Sequence, residues 1–174
     1  MTRKFGWLSG AALLAVVATS STALAAVNLK SLPEAEFSGT TVIVTNGEFS
    51  GLGNIEAIAK LTVTGVATYQ CENPTGKVVP GQNPVEAKPG EATEGLGNSE
   101  HNGRGTISKL EASVTEPPTP TAKQVGCGGT GNTKWTVTKT GLEATGAQLV
   151  ITQKNKTIFC RNYTTATVPL GTEC

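Results

Sequence analysis

The chain has 174 residues, with 14 Lys and Arg against 13 acidic residues, one His and four Cys. Its near-neutral balance and singly scattered basic residues do not build the concentrated positive field that phosphate backbones and anionic membranes select for, so nucleic acid is not an expected partner. All 13 acids are Glu and the sole imidazole is His101, which removes calcium loops built on Asp, aspartic dyads and two-His metal sites; no cofactor or metal is expected.

Residues 1–25 carry basic Arg3 and Lys4, an apolar run from Ala11 to Ala18, and small residues at Ala23 and Ala25. That order is a cleavable secretory signal with the cut after Ala25. A membrane anchor needs about 18 or more consecutive apolar residues, and Thr19, Ser20, Ser21 and Thr22 interrupt this run. Cleavage leaves 149 residues, 26–174, with a formal charge of −1 and no second apolar span. The expectation is one secreted, soluble domain without a transmembrane segment.

From Thr40 onward, Thr, Val and Ile recur with a period of two, the signature of half-buried strands. Strands are expected around Val42 and Val44 and over Leu61–Cys71, where Leu61, Val63, Ala67, Tyr69 and Cys71 share one face. Further strands are expected near residues 84–93, after Asn102-Gly103 near residue 105, over Leu110–Val114, around Trp135 and Val137, and over Ala147–Thr152 and Thr157–Tyr163. The last two read as a hairpin across Gln153-Lys154-Asn155-Lys156. Residues 53–59 are the one stretch with helical character. About seven strands on these signals predict an all-β, Ig-like antiparallel sandwich in the loose architectural sense. Pro-rich and Gly-rich stretches at 72–105 and 116–133 read as long loops, the natural place for a binding surface.

The stretch Ala67-Thr68-Tyr69-Gln70-Cys71-Glu72-Asn73-Pro74, followed by Val79-Pro80-Gly81-Gln82-Asn83-Pro84-Val85, resembles small secreted proteins of actinobacteria. The resemblance extends loosely through Cys127 and Trp135. It implies a bacterial secreted β-domain and carries no activity or site residues.

Four Cys in an exported chain make two disulfides, with three pairings formally possible. Cys71–Cys127 with Cys160–Cys174 is preferred: the first ties the end of a core strand to the Gly-rich region before Trp135, the second fastens the tail. No Cys-x-x-Cys pair supports metal or redox chemistry.

Ser99, Glu100 and His101 are consecutive, which places neighbours on opposite faces of any strand and does not make a triad. Trp135 alternates with Val137 and is expected to pack in the core. The sequons at Asn155 and Asn162 read as coincidence in a Thr-rich chain. The leading expectation is a non-catalytic extracellular or cell-envelope module that presents loops to a protein or surface. Alternatives are a secreted hydrolase using paired Glu, a surface-coat subunit, and a protease inhibitor. In the last, residues 72–84 form the loop, Cys71 anchors it, and Lys77-Val78 offers a basic side chain to a trypsin-like pocket.

Overall fold

Branched side chains pack well on a pleated surface, and each successive residue turns to the opposite face. In the computed structural model, which describes residues 27–96, 103–127 and 134–174, this preference gives thirteen strands and no helix among those described residues. They are β1 (Asn28–Ser31), β2 (Glu34–Ser38), β3 (Thr41–Thr45), β4 (Gly47–Ser50), β5 (Ala57–Glu72), β6 (Val78–Pro80), β7 (Val85–Glu86), β8 (Gly90–Leu96), β9 (Gly105–Ile107), β10 (Leu110–Ser113), β11 (Thr136–Gln153), β12 (Lys156–Thr164) and β13 (Thr172–Glu173). The expected signal, residues 1–25, and the Ser99-Glu100-His101 cluster lie outside the described residues. Among the described residues no helix is long and apolar enough to cross a membrane.

The expected alternation over Leu61–Cys71 is present and longer than the sequence suggests: every odd residue from Ala57 to Cys71 is buried. The helical expectation for 53–59 is corrected. Gly53 sits in a turn with φ 64°, and Ala57 already opens β5. The cause is tertiary. Gln153 is buried and its side-chain amide donates to the carbonyls of Leu52 at 2.6 Å and Ile55 at 2.7 Å. Carbonyls satisfied from another strand need no helical donors, and Ala57 and Ala59 are drawn into the sheet.

β11 is one strand of 18 residues, where the sequence suggests separate strands around Trp135 and over Ala147–Thr152. Two register shifts, between Lys139 and Gly141 and between Ala144 and Gly146, reset its alternation and hide its continuity. Each bulge sets an extra residue against the partner strand and bends the ribbon. Gly65 lies opposite, where an added Cβ would collide with the Glu143 carbonyl oxygen. The β11–β12 hairpin forms as expected, but its turn is only Lys154-Asn155. Their φ values of 51° and 59° are those of a type I′ turn, whose twist matches the flanking strands.

The large sheet has seven strands in the order β13-β12-β11-β5, with β6, β7 and β8 sharing the far edge of β5. Much of the stretch 72–105 is therefore a return path along β5, where the sequence suggests loop around one weak strand. Two three-stranded sheets, β1-β4-β9 and β10-β3-β2, complete the fold. Asn46, at φ 63°, turns the chain from β3 into β4, and its side-chain amide donates to Glu34 Oε2 at 3.0 Å.

The main core draws on all three sheets: Leu61, Val63, Leu149, Ile151 and Tyr163 from the large one, Val42, Val44 and Leu110 from the second, Phe49 and Ile107 from the third. Phe49 meets Phe159 edge-to-face with ring centroids 5.4 Å apart, a favoured aromatic geometry. Tyr163 is buried and donates to the Pro33 carbonyl at 3.1 Å, tying β12 to the segment before β2. Burial pushes its phenol up to about 12, with Arg161 opposing the shift.

Candidate functional site

β5 and β11 run on together past the main core. On their inner face the last rows pair Ala67 with Leu142, Tyr69 with Lys139, and Cys71 with Val137. A second apolar cluster covers these rows: Ala67, Tyr69, Cys71, Val125 and Cys127 are buried, and Val79, Val85, Trp135 and Val137 pack around them. The cover is the segment after β10, which folds back over the ribbon as far as Cys127.

Covalent and hydrogen bonds fix this distal tier. Cys71 is bonded to Cys127 across 56 residues of sequence, with their Cα atoms 6.1 Å apart. The Val125 carbonyl accepts from the backbone N–H of Gln82 at 2.8 Å and of Asn83 at 3.1 Å, while Gly81 N–H donates to the Tyr69 carbonyl at 2.8 Å. Gln124 Oε1 accepts from both the N–H and the hydroxyl of Thr121, at 2.8 and 2.9 Å. The two Pro-rich segments hold each other through backbone bonds and need few apolar side chains to do so.

At the tip lies the β5–β6 turn. Asn73 Oδ1 accepts from Thr75 N–H at 3.0 Å, Thr75 Oγ1 at 2.8 Å and Lys77 N–H at 2.8 Å. Asn73 N–H donates to the Lys77 carbonyl at 3.0 Å, and Gly76 supplies the positive φ of 83° that the turn requires. An Asn side chain can bond its own downstream backbone in this way, so Asn73-Pro74 with Gly76 was the signal available in the sequence.

Lys77 is thus exposed, but both its backbone N–H and its carbonyl are already bonded to Asn73. Val78 follows in β6, opposite Glu72, with a relative exposure of 51%. A substrate-like loop in a protease cleft offers an extended backbone at the basic residue; here that backbone is closed into a hairpin. The tip presents instead an apolar Val beside an ammonium that makes no ion pair among the described residues, on a hydrogen-bonded turn.

Beneath the tip, Tyr69 is buried, with its phenol raised above 10.0 by burial and by the Glu116 carboxylate, Lys139 working against both. Lys139 and Glu116 pair above it on the surface. Trp135 is only half-buried, at the margin of the second cluster and outside the main core.

The remaining sequence candidates lie elsewhere. Cys160 is bonded to Cys174, with Cα atoms 5.5 Å apart, and this bridge anchors the tail, with β13, beside β12. Asn155 occupies the exposed β11–β12 turn, and Asn162 Oδ1 accepts from Gln148 Nε2 at 3.0 Å on the outer face of the large sheet. Among the described residues no group of three or more His, Cys or Glu is placed to hold a metal ion. No family model, curated protein or solved structure matches the chain.

Proposed function

We propose that the chain is a secreted, non-catalytic binding module, exported by residues 1–25, whose sheets make a sandwich of the loose immunoglobulin-like kind. Its partner is an extracellular protein or a cell-surface component, met by the distal tier. The observation that carries this reading is the extension of β5 and β11 past the main core to hold a disulfide-locked pair of loops. A loop ordered before contact loses little further conformational freedom on binding, which is what recognition requires of a scaffolded loop. The exposed Val78 beside Lys77 gives that tier an apolar contact flanked by charge, the usual composition of a contact patch and its rim.

Site-specific photo-crosslinking tests the reading. A photoreactive side chain at position 78, in purified protein incubated with the medium and envelope of the producing organism, is expected to give a saturable adduct. The adduct should disappear in a Cys71→Ala, Cys127→Ala variant. A probe at Thr64, on the outer face of the large sheet, serves as control. Equal labelling from both positions would remove the distal tier as the recognition surface.

A further inference from the structure

β2 is the edge strand of the sheet β10-β3-β2. Its pairing with β3 runs from Glu34 opposite Thr45 to Ser38 opposite Thr41, closed by a two-residue turn. Antiparallel pairs alternate in the direction of their backbone groups, so Glu34, Glu36 and Ser38 bond β3 while Ala35 and Phe37 point their N–H and C=O groups away from it. The Ala35 N–H confirms the phase by donating to the Pro169 carbonyl at 2.9 Å. Beyond β2, the Gly39 carbonyl accepts from Ala144 N–H at 2.8 Å. Between those two points the edge is open at Phe37, for which no backbone partner is found among the described residues.

A groove of about 520 Å³ opens along this edge, lined by Glu34, Glu36, Phe37, Thr45, Val168 and Pro169. The two faces of β2 give it two characters. Ala35 and Phe37 turn toward the core, where Phe37 and Val168 pack half-buried against the main cluster. Glu34 and Glu36 turn the other way, and neither makes an ion pair among the described residues. Edge strands with unpaired backbone are templates for another strand, and native proteins commonly blunt them with Lys, Pro or a covering segment. This one carries two carboxylates with no ion-pair partner among the described residues, Glu34 accepting only from the Asn46 amide among the side chains.

We propose that the β2 edge receives a short extended segment of a partner protein in which a basic residue adjoins an apolar one. The apolar residue lies opposite Phe37, exchanges two backbone hydrogen bonds with it, and turns its side chain inward beside Phe37 and Val168. Of its two neighbours, which fall on the opposite face, one is basic and lies opposite Glu36 and diagonal to Glu34, and the other lies opposite Ser38. Main-chain bonds supply the docking and the alternating side chains supply the selectivity. The edge shares no residue with the distal tier, so either surface stands if the other fails.

The test uses the purified protein and short capped peptides alternating Lys with Val or Glu with Val, followed by fluorescence anisotropy. The Lys peptide is expected to bind saturably and the Glu peptide not to bind. Reversing both carboxylates, Glu34→Lys with Glu36→Lys, should weaken the Lys peptide by roughly tenfold, the scale of a few exposed charge contacts, and favour the Glu peptide. These side chains lie outside the core, so circular dichroism should show an unchanged fold. The backbone arm is independent of charge. N-methylation of the Val amides, which face Phe37, should abolish binding, whereas N-methylation of the Lys amides, which face away, should leave it. Equal tolerance of both methylation patterns, or indifference to the Glu reversal, would overturn the proposal. So would concentration-dependent dimerisation that the Glu reversal abolishes, because the occupant would then be a second copy of this chain.

Discussion

The β5–β11 ribbon passes through two environments, and the two ends are held by different physics. In the main core, Leu61 faces Leu149 and Ala59 faces Ile151, all fully buried among side chains from three sheets. In the distal tier the same two strands carry Tyr69 opposite Lys139 and Cys71 opposite Val137, covered by a segment that brings Val125 and Cys127. There a smaller apolar cluster is joined by a disulfide and by backbone bonds to the Val125 carbonyl. Strand continuity does not by itself imply uniform stability, because the free energy of opening each row depends on what covers it.

The strongest way to break this comparison is to hollow out the main core. Leu61→Ala is expected to cost about 2–5 kcal/mol, from lost transfer energy plus the cavity left behind. Urea unfolding should show the whole transition moving to lower denaturant. A change confined to the distal tier would contradict the assignment of Leu61 to the shared core.

Next in size is removal of the distal disulfide. Cys71→Ala with Cys127→Ala is expected to cost about 2–4 kcal/mol by the chain-entropy account, but with a local signature. Hydrogen exchange should accelerate at the amides of Gln82, Asn83 and Cys127 while the amides of Leu61 and Leu149 keep their protection. Uniform acceleration along β5 and β11 would show that the two tiers open as one unit.

The smallest effect is alkaline. Tyr163 in the main core has its phenol raised from 10.0 to about 12, so its neutral form is favoured in the folded state. Its contribution is fully present below pH 10 and is lost as pH rises through about 12, amounting to roughly 2–3 kcal/mol. The difference in stability between the native chain and Tyr163→Phe should therefore shrink or reverse between those pH values. Tyr69 shifts in the same direction in the distal tier. A Tyr69→Phe variant distinguishes the two: if it flattens the alkaline loss as fully as Tyr163→Phe, the titration cannot be credited to the main core.

Much of the fold was legible because period-two burial is a local property. Val42 and Val44 in β3, Leu61 through Cys71 in β5, Leu110 and Ala112 in β10, and the β11–β12 hairpin all follow from it. The strands at 28–31, 34–38 and 47–50 were not legible. They are short, and residues such as Lys30, Glu34, Glu36 and Glu48 give them no apolar stripe. The distal tier was half legible: the cysteines and prolines mark its segments, but nothing local announces that Val125 accepts from Gln82 and Asn83.

Local sequence is enough to specify β structure with a buried stripe along residues 61–71, because alternation and β-branching act between immediate neighbours. It also determined that four cysteines could form two bridges. That residues 136–153 are one strand follows only from long-range pairing, since its bulges are set by the register against β5 and break the pattern that would reveal it. Tertiary contact likewise turned residues 53–59 from a helical expectation into a turn and a strand, through a Gln153 amide supplied from 98 and 101 residues away. It closed the Lys77 backbone against Asn73 and left the Phe37 edge open beside two carboxylates. Such outcomes depend on which backbone groups find partners across the fold, and period-two patterning does not specify those partners.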